Sequence, residues 1–110
     1  MYGSVLVKRK PGETLEGFHG HFCAALNVAA GEQRFSDNYA GGTYFRSMCL
    51  GIHVQLEFAD DSQFPDYDWC VHVSPRLPIA AAHGSVSTMD GIAALVANEL
   101  AAAGYVVLRK

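Results

Sequence analysis

Apolar residues recur along this chain with two different periods, and each change of period marks a boundary between elements. Between residues 14 and 30, Leu15, Phe18, Phe22, Leu26 and Ala29 are spaced by three and four, which gathers them on one stripe of a helix. Thr14 stands before that stripe as an N-cap, Glu16 lies in the first turn where the helix dipole favours an anion, and Gly31 is placed to end the helix. Ile92, Leu95, Val96 and Leu100 form a second helical stripe. Ser87 and Asp90 have the spacing of a capping box at its start, and Gly104 stops it ahead of the strand-like run Tyr105 to Leu108.

Between the helices the period is two. Met48, Leu50, Ile52, Val54, Leu56 and Phe58 alternate with Ser47, Cys49, Gly51, His53, Gln55 and Glu57, which predicts one long strand with an apolar face. Trp69, Val71 and Val73 alternate with Cys70 and His72 in a second strand that ends at Ser74-Pro75. The segment between these strands is then the connection of an antiparallel hairpin, with a turn at Pro65-Asp66. Arg34 to Arg46 predicts a further strand pair around Ala40-Gly41-Gly42, and residues 78–86 read as a loop.

The fold class that follows is α+β: a single domain over residues 1–110, with a mostly antiparallel sheet of four to five strands and two amphipathic helices on one face. The other face is left as a candidate binding surface. In this register an acid at Ile52 should unfold the domain, whereas an acid at Gln55 should be tolerated.

Composition narrows the class. Half the residues are apolar and 17% are charged, so the chain is globular rather than disordered. A formal charge of −3 argues against a nucleic-acid ligand. The cations Lys8, Arg9, Lys10, Arg109 and Lys110 sit at the two ends, and would form a small basic patch if both ends were strands of one sheet. Three cysteines, an odd number without close pairing, favour a reducing compartment. The first apolar run is too short for a secretory signal, and nothing approaches the roughly twenty apolar residues of a membrane span. The expectation is a soluble cytoplasmic protein with no membrane partner.

The chemistry concentrates between Glu57 and Trp69. Glu57, Asp60, Asp61, Asp66 and Asp68 repel one another, so such a cluster faces a metal ion, a basic partner or water. Phe64, Tyr67 and Trp69 beside the charges favour a partner surface, where aromatic anchors are ringed by polar groups. Trp69 shares the parity of Val71 and Val73 and is read as core; Tyr67, in the turn, is the better contact. The acids lack the ligand alternation, central Gly and terminal Glu of a calcium loop. Gly84-Ser-Val-Ser87 lacks a nucleophile elbow and no Gly-rich phosphate loop is present, so no catalytic residue or cofactor is indicated. A second reading places His53, His72, Cys49 and Cys70 together on the polar sheet face as a zinc or small enzymatic site, although the close ligand pairs of zinc modules are missing.

The stretch Ser36 to Arg46, followed by Leu50-Gly-Ile-His-Val-Gln-Leu56, Ala59-Asp-Asp61 and Phe64-Pro-Asp-Tyr-Asp-Trp69, resembles small bacterial immunity proteins of contact-dependent growth inhibition and related polymorphic-toxin systems. The resemblance covers about residues 32–76. It implies a non-enzymatic cytoplasmic antidote that binds the C-terminal toxin domain of a cognate effector and blocks its active site. Such toxins are often nucleases with basic clefts, which carboxylates would fit in place of phosphates. The implied toxin-binding residues are Asp37, Tyr39, Tyr44, Glu57, Asp60, Asp61, Asp66, Tyr67 and Asp68, with no cofactor and no nucleic-acid partner of the antidote itself.

Overall fold

The computed structural model describes residues 3–49, 51–75 and 85–110. Its elements are β1 (Gly3–Val7), α1 (Leu15–Leu26), β2 (Glu32–Phe35), a 3-10 turn (Ala40–Gly42), β3 (Thr43–Cys49), β4 (Ile52–Phe58), β5 (Trp69–Pro75), α2 (Ser85–Ala102) and β6 (Val107–Arg109). The strands form one antiparallel sheet of six in the order β2-β3-β4-β5-β1-β6, more than the four or five expected. β2 to β5 form a meander, while β1 and β6 come from the two ends of the chain and pair with each other.

Both helices lie on one face. Val5, Val7, Phe45, Leu56, Trp69, Val71 and Val73 from the sheet pack with Phe18 and Phe22 of α1 and with Met89, Ala93, Val96, Ala97 and Leu100 of α2. Phe18 is at the centre: its ring stacks on Trp69 at 5.8 Å and meets Tyr105 edge-on at 5.4 Å. Trp69 is thus core, as its parity indicates.

The helix ends are set by local chemistry. The Thr14 side chain accepts a hydrogen bond from Gly17 N–H, so the expected N-cap is in place. α1 stops earlier than Gly31, because Asn27 adopts the left-handed conformation (φ 53°) and Val28 N–H returns to the Cys23 carbonyl. α2 begins at Ser85, so Ser87 lies inside the helix rather than at the N-cap position expected, and Asp90 pairs with Arg109 at 2.7 Å. Gly104 takes φ 93° and closes α2, with Tyr105 N–H bonded to the Leu100 carbonyl and Gly104 N–H to that of Ala101. Leu95, assigned to the apolar stripe, is exposed, and Met89 and Ala93 take its place. Most of the loop expected at 78–86 lies outside the described residues.

The long strand expected over 47–58 is two strands. β3 ends at Cys49 and β4 begins at Ile52, so the chain turns between them and pairs Cys49 with Ile52. Paired residues share a face, so the turn reverses the parity of everything before it. Met48 therefore lies opposite His53 on the face without helices and is exposed, while Cys49 joins Ile52 and Val54 on the helix side. The polar face is also less bare than its composition suggests. Gln55 is buried there, accepts from Arg46 (3.0 and 3.2 Å) and donates to Glu57 (3.0 Å), while Ile52 is only half-buried. An acid at Gln55 would face Glu57 across one side-chain step. Gln55→Asp is therefore expected to cost about 1–2 kcal/mol in denaturant unfolding rather than nothing.

Candidate functional site

The face of the sheet turned away from the helices carries a polar network across four adjacent strands. Arg46 on β3 bonds Gln55 on β4; Gln55 bonds Glu57; Glu57 Oε1 lies 2.9 Å from His72 Nε2 on β5; and His72 Nδ1 lies 2.9 Å from Ser4 Oγ on β1. Antiparallel register produces this line, because Arg46, Gln55 and His72 are direct cross-strand partners, and so are His72 and Ser4. Beside it, Tyr39, Arg46, His53, Gln55, Glu57, His72 and Ser74 line a shallow groove of about 340 Å³. Tyr39 stands at its edge, its ring 4.4 Å from that of Tyr44, and the Arg46 guanidinium lies over Tyr44 at 6.0 Å. The segment before β3 is held close by Gly41, which adopts φ 72° where a Cβ would come within 2.5 Å of the Phe58 ring.

The acidic connection between β4 and β5 folds back over the same face. Register places Lys110 with Ser4 and Leu108 on that side, and Lys110 Nζ reaches Asp61 at 2.7 Å. Leu6 and Cys70 are buried although no helix covers them. The base of the loop is closed by Ala59 N–H to the Asp68 carbonyl and by Asp68 N–H to the Val7 carbonyl. Asp68 also accepts from Arg9 N–H at 3.1 Å and faces the Arg9 guanidinium at 3.8 Å. Phe64 and Tyr67 meet edge-on within the loop, and Lys8 lies over the Tyr67 ring at 5.4 Å.

Three of the five carboxylates are thus committed internally: Glu57 to His72 and Gln55, Asp61 to Lys110, and Asp68 to Arg9. The Lys110 ammonium beside Asp61, with help from Gln63 N–H, holds the Asp61 carboxyl below its ordinary range. Asp60 and Asp66 are exposed and have no ion-pair partner among the described residues, and Asp37 is exposed on the neighbouring segment. Of the aromatic candidates Tyr39 and Tyr67 are partly exposed, whereas Tyr44 is buried. The expected basic patch at the chain ends does form as a place. Its cations, however, face carboxylates and rings: Arg109 joins Asp90, and Lys10 lies over the Tyr105 ring at 4.3 Å.

A second cluster was not legible in the chain. Glu13, just before the α1 cap, is buried with its carboxylate fully engaged. Oε1 accepts from Trp69 Nε1–H at 3.0 Å and from Lys10 N–H at 3.3 Å, while Oε2 accepts from the Tyr105 hydroxyl and lies 2.7 Å from His21 Nδ1. Burial by itself would raise the Glu13 pKa; the hydrogen bonds from Tyr105, His21, Trp69 and Lys10 together outweigh it and leave it below the ordinary value. Burial, then the hydrogen bond to Glu13, pushes the Tyr105 hydroxyl up. His19, the other histidine of α1, turns to the sheet instead. It stacks on Phe45 at 4.1 Å and accepts Gly31 N–H at 2.9 Å, and burial lowers its pKa.

Two arrangements of reactive residues lie on this face among the described residues, one of them the His/Cys group expected from the sequence. Ser4, His72 and Glu57 have the order of a Ser–His–acid relay, but Ser4 is buried in a strand whose ladder with β5 and β6 occupies the local amides. An acyl-transfer site needs an accessible nucleophile and free N–H groups beside it. Burial and the Glu57 charge push the Cys70 thiol up to about 12, the opposite of what a nucleophile requires. The four-residue His/Cys site is corrected by the register: Cys49 lies on the helix side, away from His53, His72 and Cys70. Among the described residues no three His, Cys, Asp or Glu side chains are grouped to hold a metal ion. Nor is any helix of the described residues long and apolar enough to cross a membrane. No protein-family model matches the chain, and no curated protein or solved structure matches it either.

Proposed function

We propose that this chain is a toxin-neutralising immunity protein, which binds the C-terminal toxin domain of a cognate effector in the cytoplasm and blocks it without catalysis or cofactor. The reading rests on the sequence resemblance over residues 32–76, and one structural observation supports it most. The acidic β4–β5 loop is pinned at its base and along its length by the protein's own terminal cations, yet presents Asp60 and Asp66 outward beside Tyr67. A loop ordered in advance loses little entropy on docking, and free carboxylates on it steer the protein toward a basic surface. Toxin domains that act on nucleic acid present such a surface at the cleft that holds phosphates, and occupying that cleft is inhibition enough. Asp37 and Tyr39, on the segment packed against Phe58, extend the same contact.

Co-expression tests this directly. The gene for the C-terminal domain of a large secreted protein encoded next to this one is expressed alone and with this chain. The expected result is growth arrest without the chain, survival with it, and a stable complex on purification. Survival without physical association, or turnover of a small substrate by the purified chain, would refute the proposal.

A further inference from the structure

We propose that β2 is a self-association strand, which pairs antiparallel with β2 of a second copy of this chain and joins the two sheets edge to edge. β2 is at one end of the sheet, and all four of its residues are exposed, Phe35 at 76%. The opposite end is guarded differently: β6 has three residues, with Arg109 and Lys110 held by Asp90 and Asp61. Short, charged edges of that kind discourage pairing.

The register of β2 against β3 decides which groups point outward. Ser36 N–H bonds the Gly42 carbonyl at the end of that ladder, and Arg34 lies opposite Tyr44 two steps on. Hydrogen-bonded and non-bonded pairs alternate along an antiparallel ladder, so Arg34 turns its amide inward, while Gln33 and Phe35 turn theirs to solvent. The Gln33 side chain is drawn back onto its own sheet by a 3.3 Å bond to Thr43 Oγ1, which leaves its backbone clear.

A two-fold axis through Gln33 then pairs the outward backbone groups of that residue. The two Gln33 residues exchange both N–H and C=O bonds. Glu32 of each copy falls opposite Arg34 of the other, on the face away from the helices, where they already pair at 3.4 Å within one chain. Charges on an edge usually oppose pairing with a copy. Here they have opposite sign two residues apart, and this register turns them into two reciprocal ion pairs. On the other face Phe35 falls opposite Gly31 of the second copy, whose N–H stays with its own His19. An isologous contact of this kind closes after two copies. Its four-residue length makes it a small contact and so a weak dimer.

Sedimentation of the whole chain from about 1 to about 500 µM measures it. Wild type is expected to move from monomer to dimer. Glu32→Arg and Arg34→Glu each place like charges opposite one another and should weaken self-association about tenfold or more. An equimolar mixture of the two restores both ion pairs and should associate again as a heterodimer. Gln33→Pro removes the outward N–H at an edge position that tolerates proline, and should be monomeric with an unchanged thermal midpoint. A wild type that stays monomeric throughout overturns the proposal. So does a wild-type dimer that survives all three substitutions, or a mixture that fails to associate. None of these outcomes depends on the acidic loop, so the arms separate this inference from toxin binding.

Discussion

Glu13→Leu is expected to lower unfolding stability by roughly 3–5 kcal/mol, a large share of what a domain of this size has. The carboxylate is the common acceptor for groups from four parts of the chain: Lys10 N–H before it, His21 on α1, Trp69 at the start of β5 and Tyr105 after α2. Leucine fills the space but accepts nothing, so the Trp69 indole N–H and the Tyr105 hydroxyl are left buried without a partner, each costing about 1–3 kcal/mol. Both rings also pack on Phe18, so disorder at Glu13 reaches the centre of the core. Glu13→Gln keeps one acceptor oxygen and should lose about half as much. The thermal midpoint reads the difference, with a drop on the order of 15 °C or more for the leucine variant. Equal midpoints for Glu13→Leu and wild type would show that this cluster contributes no net stability.

The same residues set an acid limit. Glu13 has its pKa lowered by folding, so the folded state binds its proton less readily than the unfolded chain, whose value is near 4.5. Its contribution is therefore present above about that pH and is lost as pH falls through the lower, folded value. His19 acts earlier. Burial lowers its pKa from 6.5, so the unfolded chain takes up the proton first, and stability declines as pH drops from about 6.5 toward the folded value. Stability should thus fall in two stages on acidification, and Glu13→Gln should diminish only the lower one, to which Asp61 also contributes. A lower stage undiminished in that variant would assign the acid loss to Asp61 and other carboxylates.

How much of this was legible follows from how local each signal is. The α1 stripe, its Thr14 cap, the β4–β5 hairpin and the core position of Trp69 rest on spacings of a few residues, and they stand. The reversal between β3 and β4 was hidden because apolar residues continue at every second position of the sequence across it. Only the pairing of Cys49 with Ile52 reveals that the faces exchange there, which removes Cys49 from the supposed metal site. α2 takes in Ser87 because good helix formers and the Arg109 partner for Asp90 outweigh a local capping option. Glu13 was passed over for a different reason. Its partners Trp69 and Tyr105 are 56 and 92 positions away, and no periodicity connects them. The acidic segment was correctly seen as a surface connection. Which of its acids are free depended on where the chain ends fold, and that only the β1–β6 pairing decides.

That division among the acids makes the functional test sharper. Replacing Asp60 and Asp66 with Asn removes the two outward charges and leaves every anchor of the loop in place. Association with the toxin domain should slow about tenfold at low salt, dissociation should be unchanged, and the difference should shrink as salt screens the steering field. Replacing Asp61 and Asp68 instead releases the loop from Lys110 and Arg9. A loop that must be ordered on binding gives up affinity without losing its outward charges, so the effect should appear in the dissociation rate and resist salt. Tyr67→Ala removes contact area beside both sets and belongs with the second pattern, since truncating an anchor speeds dissociation. All four acids changed together should combine the two, slowing association about tenfold at low salt and speeding dissociation at any salt. Wild-type rates for the fourfold variant at low and high salt would exclude the loop, and would move the contact to Asp37 and Tyr39 on the preceding segment or to an exposed helix face.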